Sequence, residues 1–469
     1  MRLLCIWAMP WHLCSFCLPQ MGMSSENRYT RRRSGTGPET GADKEQFVTN
    51  HNEIVQRIWD QLSPLKVVKQ PLTDCIGLVL AEDRYATFDL PRVACSGVDG
   101  YALKSADVVS ASREQPVALA VIDSIRAGML PRKEVLSGTA ARIMTGAMLP
   151  KGADCVVRFE DTDEPGNKNG LPLKRPESAG IFVAADPWDN VRRPGSYSKN
   201  GALIVPQGAV IGPAQLAALT AHGITVLKVI RRPVIAILTT GDELVRAGRP
   251  LGSGKSYDCN ATALAALVSR YGCIPKVLGI ARDNMDSVLS KLRRGLATDA
   301  LITSGGASRG DYDLIRLVLE KMGRVVCSTR TMGGGGSFTF GLLNSAFKPD
   351  AAPDIPVFAL PGSPSGCLIN FEMLVKPALF RLLGYRSYER TQVEAEALDS
   401  LAGSRRQAVL KWSLLQKVEG TAKVRLNSPD EHGMFASIAA ANSLTLLPKQ
   451  TDINTGDTMQ VVPLNWCSN

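Results

Sequence analysis

Between residues 234 and 382 the chain alternates short apolar runs with amphipathic segments, and this alternation limits the possible folds more than any other feature. The apolar runs Val234 to Leu238, Val277 to Ile280, Ala300 to Thr303, Arg324 to Cys327 and Val357 to Leu360 read as strands. Helical periodicity marks Ala261 to Tyr271, Met285 to Arg294, Leu314 to Met322 and Cys367 to Leu382. A strand that is apolar on both faces needs cover on both, and successive parallel strands need a crossover between them; helices between strands supply both. The expectation is a doubly wound parallel α/β domain over residues 229–386.

The flanking segments carry other periods. Phe47, Ile54, Ile58 and Leu62 fall on one helical stripe that stops at Pro64, and Ile76 to Arg84 reads as a short strand and bend. From about residue 88 to 187 short β-runs (Val117 to Val121, Ala141 to Met144, Cys155 to Phe159) are punctuated by Gly, Pro and charged turns, which indicates a β-rich inserted domain. Residues 45–87 and 188–228 would then form one discontinuous subdomain, with a helix at Pro213 to His222, and residues 391–469 a small C-terminal β-domain. The fold class is therefore multidomain, α/β plus β. Residues 1–44 read as a disordered extension: an apolar stretch from Leu3 to Leu18, broken by Pro10, His12 and Ser15, is too short to span a bilayer. Met21 and Met23 offer later starts.

The chain has 54 Lys plus Arg against 44 Asp plus Glu, a net charge of +10. Anionic ligands suit that balance. Nucleic acid does not, because the one basic run, Arg31 to Arg33, lacks interleaved aromatics. Eleven scattered cysteines imply a reducing, cytoplasmic setting. The pair Cys14 and Cys17 has no second pair or histidine at metal spacing.

In an open α/β sheet ligands bind beyond the carboxyl ends of the strands, so the loops leaving the strands are the places to look. These are Thr239-Thr-Gly-Asp-Glu243, Thr303-Ser-Gly-Gly-Ala-Ser-Arg-Gly-Asp-Tyr-Asp313, the glycine run 333–336 and Leu360-Pro-Gly-Ser-Pro364. Ser304-Gly-Gly before a helix leaves backbone N–H groups free as an anion cradle. Asp242, Glu243, Asp283, Asp311 and Asp313 could hold a hard divalent cation bridging to phosphate oxygens. Neither a P-loop nor a dinucleotide fingerprint is present.

Six ordered motifs make the resemblance specific: Ser96-Gly-Val-Asp-Gly-Tyr-Ala102, Arg142-Ile-Met-Thr-Gly-Ala147, Gly152-Ala-Asp-Cys-Val-Val157, Thr240-Gly-Asp-Glu-Leu244, Thr303-Ser-Gly-Gly306 and Leu360-Pro-Gly362. On these the chain resembles the family of MoeA and the gephyrin E domain, over about residues 46–465. The resemblance implies a homodimer whose α/β domain is MogA-like, with no membrane span, that inserts molybdate into adenylated molybdopterin with Mg²⁺ and releases AMP. Asp99, Asp242 and Glu243 resemble the family's acidic motif residues, taken as catalytic, and Asp242, Glu243 and, on its position in the chain alone, Asp283 are the expected metal-facing carboxylates. Ser304, Gly305, Gly306, Ser308, Asp311, Asp313, Pro361 and Gly362 resemble its pterin and phosphate loops. A second reading of Asp99, Asp242 and Glu243 stands beside the metal one: they cap turns or pair with Arg142.

The chain also departs from the family pattern. Gly333-Gly-Gly-Gly-Ser337 stands where the family carries lysines, Asp258-Cys-Asn-Ala261 where it carries D-S/T-N-R, and Ile438-Ala-Ala-Ala-Asn-Ser443 where it carries M-R-S-A-N-G. Leu360-Pro-Gly-Ser-Pro-Ser-Gly366 and Gly195-Ser-Tyr-Ser198 depart too. Losing several cations around one dianion weakens its binding at least about a hundredfold. The resemblance thus implies either a molybdotransferase of weakened or lost activity, or a gephyrin-like scaffold that binds partner peptides. Arg309 and Lys255 are candidate replacement cations, though each reads first as a solvated surface charge.

Overall fold

The computed structural model describes residues 51–164, 177–306, 314–330, 337–344, 354–400, 402, 408–427 and 433–465. The expected extension, Ser308, Arg309, Asp311, Asp313 and the glycine run 333–336 lie outside the described residues.

The central sheet has six strands in the spatial order Ile274–Ala281, Val234–Thr240, Ala300–Ser304, Ile355–Leu360, Ser337–Leu343, Gly323–Arg330. The first four are mutually parallel. Successive residues along each strand serve opposite layers, as the two-residue period of a strand requires. Ile235, Ile237, Ile302, Phe358 and Leu360 pack with Leu264 and Val268 of the Asn260–Arg270 helix. Ala236, Leu238, Leu301, Val357 and Ala359 pack with Val288 and Leu292 of Met285–Gly295 and with Ile315 and Val318 of Leu314–Met322. This is the doubly wound arrangement. The sheet is not parallel throughout, which corrects the expectation: Ser337–Leu343 runs antiparallel to both of its neighbours. Gly323 and Gly341 lie where a Cβ would meet the facing backbone, at 2.0 Å from Leu342 O and 2.7 Å from Arg324 O. That contact permits the close antiparallel pairing at this edge.

Around this sheet sit the β-rich parts. Gly100–Leu103 is the second strand of a five-stranded sheet ordered Cys155–Arg158, Gly100–Leu103, Thr139–Ile143, Val117–Ile125, Ser178–Ile181. A Cβ on Gly100 would stand 1.9 Å from Val157 O, so the glycine of the D-G-Y-A motif is required by strand approach. Val67–Pro71, which sequence reading missed, pairs antiparallel with Val226–Ile230. The expected strand near residue 76 is only a pair of isolated bridges, Val79 with Val210 and Leu80 with Val229. Five strands from Val393–Ala397 to Thr458–Pro463 close into a barrel. Among the described residues no helix is long and apolar enough to cross a membrane.

The long helix after Leu360 is interrupted by a π-turn, Phe371–Val375, between Pro364–Asn370 and Lys376–Leu382. Pro377 has no N–H to give to the carbonyl of Met373, and the widened turn is where the backbone absorbs this. The π-turn carries Glu372, 1% exposed, whose Oε1 is bound by Lys376 Nζ and whose Oε2 accepts the Tyr271 hydroxyl at 2.7 Å. Burial, and then the Glu372 charge, push the Tyr271 hydroxyl well above its usual pKa, so it stays a donor. Removing Glu372 leaves an ammonium buried without its counter-charge. Glu372→Ala is expected to cost about 3–5 kcal/mol, and the double variant Glu372→Ala with Lys376→Met to recover most of that loss. Urea unfolding of the three proteins checks it; equal stability of the single and double variants would contradict the role of the pair.

Candidate functional site

The chain enters the central sheet at Val234–Thr240, crosses to Ile274–Ala281 on one side, and then returns to Ala300–Ser304 on the other. The crossovers leave in opposite directions between Val234–Thr240 and Ala300–Ser304, so a crevice opens beyond their carboxyl ends. Thr239, Thr240 and Ser304 are the residues at its mouth.

Ser304 is fixed from two sides. Its hydroxyl donates to Pro361 O at 3.0 Å and accepts from Asn260 Nδ2 at 2.9 Å, and Asn260 Nδ2 also donates to Gly362 O at 2.9 Å. Asn260 thereby ties the Ser304 loop to the Leu360-Pro-Gly loop and fixes the width between two strand ends. Asp258 holds the start of the same helix: one oxygen accepts the Ala261 N–H at 3.0 Å and the other accepts the Thr239 hydroxyl at 2.6 Å. Sequence reading had quoted Asp258 and Asn260 only as part of the segment in which Ala261 replaces the family's arginine. Their adjacency to Ser304 was not visible, because Asn260 and Ser304 lie 44 residues apart.

After Ser304 the backbone turns through Gly305 (φ 89°) and Gly306 (φ 65°), both left-handed. A Cβ on Gly305 would lie 2.4 Å from Thr240 O, and one on Gly306 2.8 Å from Thr240 Oγ1. Thr240 is 5% exposed, and its hydroxyl has no hydrogen-bond partner among the described residues. The Gly305 N–H is committed to Leu360 O at 3.2 Å, so the Gly306 N–H and the spare Thr240 hydroxyl are the donors this turn presents. This is a cradle for an anion's oxygens, and Thr240 is a member that sequence reading missed.

The carboxylates sit at the next turn. Asp242 and Asp283 face one another through their backbones: the Asp242 N–H donates to Asp283 Oδ2 at 3.1 Å, and the Asp283 N–H to Asp242 Oδ1 at 3.4 Å. Glu243 folds its carboxylate back over Gly241, where a Cβ would lie 2.4 Å from Oε2. Among the described residues no three His, Cys, Asp or Glu side chains converge at metal distance. Lys255 Nζ and Arg282 Nη1 both donate to Asp242 O, at 2.9 Å each, so Lys255 is engaged rather than simply solvated, and Arg282, which sequence reading missed, stands beside it.

Asp99 belongs to the five-stranded sheet. Its Oδ1 accepts both the Thr145 N–H at 2.6 Å and the Thr145 hydroxyl at 2.7 Å, which is turn capping. The expected pairing with Arg142 is not formed: Arg142 is committed to Glu164, with Nη2 to Oε1 at 2.6 Å and Nε to Oε1 at 3.0 Å. Ala261, where the family carries arginine, is 8% exposed and packs in the central core. An arginine there would have to emerge from that core.

Residues 49–223 match the MoeA N-terminal region (domain I and II), and residues 236–381 a probable molybdopterin binding domain. The chain is 32% identical over 394 residues to a molybdopterin molybdenumtransferase of Nostoc sp., covering 83% of this chain and 86% of that protein. The chain belongs to the MoeA family. A second molybdopterin molybdenumtransferase, from Bacillus subtilis, is 32% identical over 395 residues, with 83% and 88% covered. Among solved structures, a molybdopterin biosynthesis MoeA protein from Pyrococcus horikoshii superposes with a TM-score of 0.70 at 30% identity, covering 88% of this chain and 98% of the other. Within this MoeA-family chain, Ser304 to Gly306 and Asn260 both fall in the matched molybdopterin-binding segment.

Proposed function

We propose that this protein is a molybdopterin molybdenumtransferase of molybdenum-cofactor assembly, cytoplasmic and homodimeric, that takes adenylated molybdopterin and molybdate and releases AMP. The observation that carries this reading is the Gly305–Gly306 cradle against the spare Thr240 hydroxyl, held open by Asn260. The Gly306 N–H binds a terminal oxygen of a phosphate, and Thr240 donates a further hydrogen bond, while the Gly305 N–H pins the turn to Leu360 O. Asn260 fixes the crevice width and so the substrate's orientation. Asp242 and Asp283 supply hard oxygen donors of the kind Mg²⁺ takes alongside substrate phosphates, and Glu243 follows Asp242 on the same turn. Bound there, Mg²⁺ would neutralise phosphate charge as the adenylate leaves. Lys255 and Arg282, clamped on the same turn, place two positive charges beside the phosphate path.

Molybdate is the substrate this site holds more weakly than the family pattern would, because Ala261 is buried and Ala439 stands at the second arginine position of the pattern. Purified protein given adenylated molybdopterin, Mg²⁺ and millimolar molybdate is expected to release AMP, and Lys255→Ala with Arg282→Ala to lower the rate about tenfold or more. No AMP at millimolar molybdate would remove the enzyme reading and leave the scaffold one, which rests on the same missing arginines. An unchanged rate in the double variant would remove the two cations from the mechanism.

A further inference from the structure

The C-terminal barrel has two kinds of face, because successive residues of its strands point opposite ways. Val424, Leu447 and Val461 fill its own interior, whereas Leu410, Trp412, Leu444, Leu446 and Val462 pack into the core of the central α/β domain. Trp412, on the strand Val409–Val418, is 5% exposed, and its indole N–H donates to the Ser365 hydroxyl oxygen at 2.8 Å. Burying an indole is economical only where that N–H finds an acceptor. A phenylalanine would fill much of the same space without needing one, so packing alone does not call for the indole.

Ser365 follows Gly362 in the loop that leaves the sheet at Leu360 and opens the helix Pro364–Asn370. That loop offers three carbonyls to the crevice: Pro361 O to the Ser304 hydroxyl at 3.0 Å, Gly362 O to Asn260 Nδ2 at 2.9 Å, and Leu360 O to the Gly305 N–H at 3.2 Å. The helix that begins at Asn260 is held by the barrel as well. At its other end Arg270 Nη2 donates to Asn465 O, just past the last barrel strand, Thr458–Pro463. The barrel thus grips both elements that meet at Ser304, the loop through Trp412 and the helix through Arg270. Ser365 also lies in a segment where the chain departs from the family pattern.

We infer that Trp412 is a positioning residue for the crevice: its bond to Ser365 sets the 360–366 loop against Ser304 and Gly305, so the barrel holds the cradle in register. Its effect on rate rests on the transferase reading; its effect on the loop does not. AMP release, and backbone hydrogen exchange followed by mass spectrometry, are measured on the full chain. Ser365→Ala and Trp412→Phe are each expected to lower kcat about fivefold, and the double variant no further, because each removes the same bond. Ser365→Thr restores the hydroxyl and should recover most of the loss. Exchange over residues 301–306 and 360–366 should quicken about fivefold in Ser365→Ala, while the five-stranded sheet exchanges as in the unaltered protein; general destabilisation would quicken both. A kcat unchanged in Ser365→Ala, or equal in the Ala and Thr variants, overturns the role, as does unchanged exchange over 301–306. Should the unaltered protein release no AMP, the transferase reading falls and exchange in Ser365→Ala decides the positioning role alone. Should Trp412→Phe fail to fold, the two Ser365 variants decide it.

Discussion

Gly305→Ala is expected to destabilise the protein by about 2–4 kcal/mol and to lower AMP release at least about a hundredfold. The position holds φ at 89°, where a side chain is strained, and the added carbon would stand 2.4 Å from Thr240 O and 2.9 Å from Thr240 Oγ1. Neither obstacle is a flexible chain end: one is backbone of a central strand, the other a hydroxyl 5% exposed. The loop must therefore move outward, which breaks the Gly305 N–H bond to Leu360 O and carries the Gly306 N–H out of the crevice. Gly362→Ala is the control, because its Cβ would meet nothing nearer than Gly305 Cα at 3.6 Å, an ordinary contact. Urea unfolding and AMP release measured on both variants check the pair. If Gly305→Ala behaves like Gly362→Ala, the tight Thr240 contact is not what holds the cradle.

The second large effect is in pH. Burial, and after it the neighbouring Arg390 charge, lower the His51 pKa from 6.5 to about 3. A group whose folded pKa lies below its unfolded one must stay neutral to fold, so the unfolded state binds the extra proton. Stability is then fully present above the unfolded pKa and falls as pH drops from about 6.5 toward 3, by up to about 1.4 kcal/mol per pH unit and on the order of 5 kcal/mol in all. In His51→Gln, an amide oxygen accepts from Arg390 but no group titrates. The stability difference between pH 7 and pH 4 should shrink by several kcal/mol in that variant, as measured by urea midpoints. An unchanged difference would place the acid sensitivity elsewhere.

Much of the site was legible as residue types. Ser304-Gly-Gly read as an anion cradle because two glycines after a strand end leave N–H groups unpaired; the structure shows both in left-handed conformations, but the Gly305 N–H is taken by Leu360 O. Asp242, Glu243 and Asp283 read as carboxylates at strand ends, and Asp242 and Asp283 do meet. Thr240 and Asn260 were not legible as site members, since a buried Thr and a helix-starting Asn are ordinary until something stands opposite them. Arg142 misled for the same reason. Its partner, Glu164, lies outside the quoted motifs and becomes adjacent only when the five-stranded sheet forms.

The sequence by itself determined the layers. Successive residues of 234–238 and 355–360 had to be apolar on one face and then the other for helices to cover both sides of the sheet, and that demand is written locally in the chain. Tertiary structure alone decided the antiparallel turn of Ser337–Leu343, the Asn260 tie across the crevice and the meeting of His51 with Arg390. Each of these depends on which distant segments come to lie side by side. Periodicity fixes the face a residue presents; only packing fixes what that face meets.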